Sequence, residues 1–204
     1  SARRVRRVSS GSRPDWVSVC WTTEAAFKVA ARRASPGGRC IAVKAANVEV
    51  KASPAPAVPR NPGQRIRIGY LSSDFQEHPA AYLVTELLEL HDRAQFEVYA
   101  YSYGPRDDGA MRRRIINAVD HFVDIAWEPD YLAVERIRSD DIDILIDLKG
   151  YTVGDRLGIM ARRASPLQLT WLGYPGTTGT TFIDYLIADP YIIQPGEERS
   201  CSER

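Results

Sequence analysis

One short loop of this sequence carries a carboxylate, an imidazole and two hydroxyls. An alternating run at residues 65–71 is typical of a β-strand, and it leads into Ser72, Ser73 and Asp74, with His78 four residues later. Open α/β sheets bind their ligands at the carboxyl ends of strands, and His is well suited to moving protons near neutral pH. Asp74 and His78 are therefore candidate acid–base residues. A structural interpretation also stays open, because Asp before a helix is a common cap or turn former.

Two further loops follow predicted strands and could contact a ligand. An apolar strand at residues 142–148 leads into Tyr151 and Thr152. A strand at residues 167–172 leads into a loop, residues 171–179, with three glycines, one proline and three hydroxyl-bearing side chains. Such a loop lets a ligand approach the backbone and offers N–H and hydroxyl donors, which suits sugar or phosphate recognition. Pro-Gly within it is equally typical of an ordinary type II turn.

The elements that position these loops alternate between strand and helix. Strands are predicted at residues 65–71, 96–103, 121–125, 142–148, 167–172 and 183–188, and helices at residues 80–91, 107–119, 131–139 and 157–163. This alternation predicts βαβ units with right-handed crossovers, and hence an α/β fold with a Rossmann-like parallel sheet and flanking helices. The Gly-rich dinucleotide fingerprint does not follow Gly69, which disfavours an NAD enzyme.

Composition divides the 204 residues into unequal parts. The net charge is +1, but residues 1–63 hold 12 Lys+Arg and 3 Asp+Glu, which leaves 15 and 23 for residues 64–204. Residues 1–63 also contain no Leu, Tyr, His, Met or Gln and end in a Pro-rich stretch. We predict that residues 1–63 are a basic extension and linker, disordered or translated out of frame, which resequencing the gene would test. A domain is predicted at residues 64–198, followed by a tail, residues 199–204, that does not look native.

Several other classes of protein are disfavoured. No apolar run approaches the roughly 20 residues of a membrane span. Cys20, Cys40 and Cys201 show neither metal-ligand spacing nor a disulfide framework, so we predict a cytoplasmic protein without a metal site. The Asp-Ile-Asp at residues 141–143 stands at the start of a strand, away from the expected ligand cleft. His91 closes a helix, where a cation suits the helix dipole.

Four motifs together resemble the O-GlcNAc transferases, glycosyltransferase family 41. They are IRIGYLSSDFQEHP (66–79), FEVYAYS (96–102), DLKGYT (147–152) and ASPLQLTWLGYPGTTGTTFIDY (164–185). The resemblance covers about residues 64–198 and implies one lobe of a GT-B glycosyltransferase, the amino-terminal lobe of its catalytic region. It further implies transfer of N-acetylglucosamine from UDP-GlcNAc to Ser or Thr hydroxyls of proteins, without a metal or other cofactor.

The resemblance also implies roles for residues of the first and third loops. Asp74 and His78 match a functional Asp and His of the family, which act as acid–base or substrate-positioning groups. An acceptor hydroxyl must lose its proton, and His78 could take it directly or through water. Pro79 matches a residue that lines the sugar pocket, and Leu172 and Gly173 match the pocket for the N-acetyl group.

Further positions are implied to contact substrate. Tyr151, Thr152 and Arg156 match positions near the acceptor peptide. Pro175 and Gly176 belong to the same Gly-rich motif and are predicted to bind substrate. Protein acceptors are thus the expected substrates.

The sequence also departs from the family. A functional His that the family has upstream is absent from residues 1–63, and the nucleotide-binding Lys and His of the carboxyl-terminal lobe are not matched. We therefore expect a truncated chain, inactive alone, whose partners are the carboxyl-terminal lobe and tetratricopeptide repeats of a parent protein. Two alternatives stay open: a non-catalytic Rossmann-like module that binds protein or nucleotide, and a nucleic-acid-binding protein whose basic arm stacks bases on Trp16, Trp21 and Phe27. The arm's composition disfavours the second.

Overall fold

The computed structural model describes residues 63–194 and 196–203, so the predicted extension at residues 1–62 lies outside the described part. The strands are β1 (Ile66–Ser72), β2 (Phe96–Ser102), β3 (His121–Asp124), β4 (Ile144–Asp147), β5 (Leu167–Trp171) and β6 (Tyr185–Ile187). The helices are α1 (Pro79–Leu90), α2 (Ala110–Asn117), α3 (Asp130–Ser139) and α4 (Leu157–Ala161), followed by a 3₁₀ turn, Glu197–Ser200. All paired strands are parallel, in the order β3-β2-β1-β4-β5-β6. This confirms the predicted α/β, Rossmann-like sheet.

Helices cover both faces of the sheet. Ile68 and Tyr70 of β1 pack in the cluster that includes the buried faces of α1 and α2, whereas Leu71 packs in the cluster with α3 and α4. This follows from the two-residue period of a strand, which sends successive side chains to opposite faces. A sheet covered on both faces needs nearly continuous apolar strands, as β4 has. None of the helices in the described ranges is long and apolar enough to cross a membrane.

The strand order places β1 and β4 side by side at the centre of the sheet. Leu71 pairs with Asp147, so these two strands end at the same level. The chain runs outward from β1 through β2 to β3 and then returns through α3 to β4. Where the order reverses in this way, the loops at the carboxyl ends of the two strands diverge and leave a crevice.

Several elements are shorter than the sequence predicts, and β4, β6, α2 and α4 differ by two or more residues. Strand β4 begins at Ile144 rather than residue 142, because the Asp143 carboxylate accepts a hydrogen bond from Arg67 N at 2.8 Å and Asp141 adopts φ +50° in the preceding turn. Helix α2 begins after Gly109, which provides no side-chain cap. At β4, a side-chain bond to the backbone thus sets a bound that periodicity alone leaves open.

Candidate functional site

A cleft of about 510 Å³ opens where β1 and β4 end. It is lined by side chains or backbone from the loops after β1, β4 and β5 and from the first turns of α1: Ser73, Asp74, His78, Ala80, Leu83, Lys149, Thr152, Val153, Leu172 and Gly173. The structure therefore brings together five of the residues singled out from the sequence, Asp74, His78, Thr152, Leu172 and Gly173. They come from three loops separated by about a hundred residues of chain.

Asp74 forms an ion pair with Lys149 across the crevice. Lys149 Nζ lies 3.0 Å from Asp74 Oδ2 and 3.2 Å from Oδ1, and the two side chains are only 7% and 10% exposed. Asp74 N donates to Ser72 Oγ, and Ser73 Oγ donates to Asp74 Oδ1 at 2.8 Å. Sequence reasoning missed Lys149 as a site residue, although its place two residues beyond a central strand was a usable signal.

His78 is the N-cap residue of α1. Its backbone is extended, and its Nδ1 accepts a hydrogen bond from Ala80 N at 3.2 Å. Pro79 takes the first helical position, where its missing N–H costs nothing and its fixed φ suits the helix. Asp74 Oδ2 lies 3.6 Å from His78 Nδ1, beyond hydrogen-bonding distance. The helix start therefore holds the imidazole ring at the rim of the cleft.

Asp147, at the end of β4, is a buried carboxylate next to the cleft loop rather than a residue of the cleft lining. Its carboxylate is buried beneath the loop after β4 and accepts from Gly150 N at 2.7 Å and Lys149 N at 3.3 Å. Burial raises the pKa of Asp147 to about 7, because desolvation outweighs the two backbone hydrogen bonds. The nearby Tyr103 hydroxyl is also buried, and burial together with Asp147 raises the pKa of Tyr103.

The loop after β5 lies close to the loop after β4, and its backbone has an unusual conformation at Leu172. Leu172 has φ +74°, a conformation that a branched side chain rarely adopts and that often marks functional sites. A Cβ at Gly173 would lie 2.1 Å from the carbonyl oxygen of Leu148, so only glycine fits there. This close approach seats Leu172 and Gly173 in the cleft wall.

The outer part of the Gly-rich loop lies beside the cleft rather than in it. Tyr151 Oη donates to the carbonyl of Thr178 at 2.6 Å, and its ring packs edge-on against Tyr174. Pro175 and Gly176 follow Tyr174 and do not line the cleft. The structure thus places these three predicted substrate residues, Tyr151, Pro175 and Gly176, on a neighbouring surface.

Arg156 and Pro79 are likewise outside the cleft lining. The Arg156 guanidinium bonds Asp130 Oδ1 at 2.9 Å and the carbonyls of Ile125 and Glu128 at 2.9 and 2.7 Å. These bonds hold Arg156 against the amino end of α3. The side chain therefore has a structural role in the geometry seen here.

The tail predicted at residues 199–204 contacts the Gly-rich loop through Glu203. The carboxylate of Glu203 is buried and accepts from Thr178 N and from Thr177 Oγ1, both at 2.6 Å. Thr178 Oγ1 also contacts it. These hydrogen bonds join residues 177–178 of the Gly-rich loop to Glu203.

Within residues 63–194 and 196–203, no three His, Cys, Asp or Glu side chains lie together so that they could hold a metal ion. Lys149 places a positive charge in the cleft wall. Its partner is a single carboxylate, that of Asp74.

Two peptide N-acetylglucosaminyltransferases align with this region. A UDP-N-acetylglucosamine–peptide N-acetylglucosaminyltransferase of Caenorhabditis elegans is 46% identical over 128 residues, which is 62% of this chain and 11% of that protein. A probable enzyme of the same description from Arabidopsis thaliana is 40% identical over 129 residues, 63% of this chain and 13% of that protein. The chain thus spans about an eighth of the length of these two relatives.

A solved structure and a family model agree with them. A mutant of the Thermobaculum terrenum O-GlcNAc transferase superposes with a TM-score of 0.68 at 39% identity, covering 76% of this chain and 29% of that one. The model described as "Glycosyl transferase family 41" matches residues 24–202. The family model, these relatives and the solved structure agree with the sequence motifs and the sheet order. This chain belongs to glycosyl transferase family 41.

Proposed function

We propose that this chain supplies the amino-terminal lobe of the catalytic region of a transferase that moves N-acetylglucosamine from UDP-GlcNAc to Ser or Thr hydroxyls of proteins. The observation that carries the proposal is the cleft that joins Asp74 and His78 to Leu172 and Gly173. The names of the relatives support the donor and the acceptor class.

The chemistry of the cleft wall suits this reaction. A glycosyl transfer develops negative charge on the leaving phosphate and needs hydrogen-bond donors near it. Lys149 and His78 provide polar groups in the cleft wall, whereas the Thr152 hydroxyl already donates to the Lys149 carbonyl. Leu172 and the bare backbone of Gly173 add an apolar surface to the cleft wall, which suits the methyl of an N-acetyl group.

The proposed donor site can be tested by titrating the chain with UDP-GlcNAc and following its amide resonances by NMR. We expect shifts at Gly173 and His78, and weaker binding of UDP-glucose, which lacks the N-acetyl group. Gly173→Ala should abolish binding, because its Cβ collides with the Leu148 carbonyl. Gly109→Ala is the matched control, since there the new Cβ meets only the movable end of Asp107.

Binding that survives Gly173→Ala in a folded variant would contradict the proposed site. Tight binding of a protein partner with no response to UDP-GlcNAc would favour the non-catalytic binding module instead. Circular dichroism on each variant separates loss of binding from loss of fold.

The partners belong to the same proposal. We propose that a carboxyl-terminal lobe closes the cleft, that tetratricopeptide repeats accompany it, and that transfer needs neither metal nor other cofactor. Mixing this chain with a separately produced carboxyl-terminal lobe of a relative should generate transfer to a Ser-containing peptide, and EDTA should not stop it. Transfer by the chain alone, or loss of transfer in EDTA, would contradict these points. A cytoplasmic location stays a prediction from the cysteine content, for cell fractionation to test.

A further inference from the structure

The hydrogen bond that His78 accepts from Ala80 N selects one of the two neutral tautomers of its ring. Nδ1 accepts from Ala80 N at 3.2 Å, and an imidazole nitrogen that accepts a hydrogen bond carries no proton. In the neutral ring the proton then resides on Nε2. The side chain is 42% exposed and lines the cleft, so Nε2 is the nitrogen that a ligand can reach.

A nearby carboxylate would ordinarily favour the opposite tautomer. In acid–base pairs, an Asp holds the proton of its His partner on Nδ1 and leaves Nε2 as the base. Here Asp74 Oδ2 lies 3.6 Å from Nδ1, close enough that a small movement would make that bond. Lys149 holds the carboxylate back, because its ammonium contacts both oxygens at 3.0 and 3.2 Å and balances the charge.

We propose that Lys149 is a positioning residue that keeps His78 protonated on Nε2, so that His78 meets a ligand as a hydrogen-bond donor and not as a general base. This rests on the proposed function for the identity of the ligand, a nucleotide sugar with anionic phosphate oxygens. His78 then holds a ligand oxygen and transfers no proton. The sequence-based expectation that His78 takes the proton of the acceptor hydroxyl gives way to this role.

The tautomer can be measured on the chain without any ligand. Long-range ¹H–¹⁵N NMR of the imidazole rings, recorded above about pH 8 where an ordinary imidazole is neutral, distinguishes protonated from unprotonated nitrogens. The chain has three His, and the signals of His78 are those that disappear in His78→Gln. We expect an unprotonated Nδ1 and a protonated Nε2. A protonated Nδ1 in the wild-type chain would overturn the proposal.

Variants at the ion pair test the part played by Lys149. Lys149→Met should transfer the proton of His78 to Nδ1, because the bare Asp74 carboxylate becomes its best partner. The double variant Asp74→Asn/Lys149→Met should return the proton to Nε2, since both charges are gone and the Ala80 bond remains. Lys149→Arg keeps the charge and should keep the wild-type tautomer.

An unchanged tautomer in folded Lys149→Met would overturn the positioning role. If Lys149→Met does not fold, a change of tautomer in the folded double variant would overturn the proposal equally, because the cap bond alone should then hold Nε2–H. Because these measurements need no nucleotide, their failure is distinguishable from failure of the proposed function.

Binding of UDP-GlcNAc gives an independent readout. Gln places an N–H₂ where His has Nε2, whereas Asn places its polar atoms near Nδ1 and keeps only the cap. If Nε2 acts as a donor to a charged oxygen, His78→Asn should bind about tenfold more weakly than His78→Gln. Equal loss in both variants would contradict the donor role.

Discussion

The two ends of helix α1 carry the same residue type in opposite circumstances. His78 caps the amino end and lines the cleft. His91 caps the carboxyl end, is 6% exposed, and its Nε2 lies 2.8 Å from the hydroxyl of the fully buried Tyr70. Burial lowers the pKa of His91 to about 4, so it is neutral at pH 7. The expectation of a helix-terminal cation at His91 was therefore wrong.

This difference shows that position on a helix does not decide what a histidine does. The amino end of α1 points to the crevice, where loops leave room for a ligand. The carboxyl end turns into the core, where the ring of His91 packs 5.7 Å from that of Phe96. Desolvation by that packing outweighs the attraction of the helix dipole, which is worth about 1 kcal/mol or less for most sites.

The largest expected effect is the pH dependence of stability, to which His91 and Asp147 contribute in opposite directions. The pKa of His91 is lower in the fold than its ordinary value of 6.5, so its contribution is lost as pH falls from 6.5 to about 4. The pKa of Asp147, at the cleft end, is raised from 3.8 to about 7, so its contribution is lost as pH rises through that range. Over these intervals, rising pH increases the free energy of unfolding by about 3 kcal/mol through His91 and decreases it by about 4 kcal/mol through Asp147.

Urea unfolding of variants from pH 4 to 6.5 separates the two contributions. Asp147→Asn should become more stable with rising pH relative to the wild type, because of the two perturbed groups only His91 still titrates. His91→Leu should become relatively less stable over the same interval. Parallel pH profiles for both variants and the wild type would show that neither group is perturbed as described.

At the core end, His91→Leu should destabilise the fold at neutral pH. It leaves the Tyr70 hydroxyl buried without its 2.8 Å partner, which costs about 1–3 kcal/mol. The double variant Tyr70→Phe/His91→Leu should recover much of that loss, as expected for two groups that interact directly. Binding of UDP-GlcNAc should not change, and a large loss of affinity in folded His91→Leu would break the distinction between the two ends.

At the cleft end, His78→Ala should cost less stability. It removes an N-cap bond, worth about 1 kcal/mol, whereas His78→Asn keeps a capping oxygen and should remain within a few tenths of a kcal/mol. Urea midpoints compare the two variants. A loss of several kcal/mol on His78→Ala would indicate that this end of α1 is as deeply packed as the other.

The smallest effects should come from two exposed leucines of α1. Leu83 lines the cleft and Leu90 lies near the carboxyl end, and both are mostly exposed. Leu83→Ala and Leu90→Ala should each change stability by less than about 0.5 kcal/mol. Only Leu83→Ala should weaken UDP-GlcNAc binding, by about threefold, through lost apolar contact. Equal affinities of the two variants would place the ligand away from α1.

Much of this molecule follows from local patterns in the sequence. Alternating strand and helix periods predicted the parallel sheet, because the period of apolar residues reflects which face each element buries. Ser72, Asp74 and His78 identified the loop after β1, because the end of a strand and the cap of the next helix depend on residues adjacent in the sequence. The start of β4 was less accurate, because a single side-chain bond, that of Asp143, helps to decide it.

Tertiary structure decided which of these local features meet. The alternation of elements allows several strand orders, and the observed pairing of β1 with β4 brings Lys149 to Asp74 across 75 residues of chain. The same order buries His91 against β1 and leaves His78 at the crevice. Sequence by itself thus determined the elements and the candidate loop, because those depend on adjacent residues. The ion pair, the buried Asp147 and the tautomer of His78 depend on distant residues brought together by packing, and no local pattern encodes that.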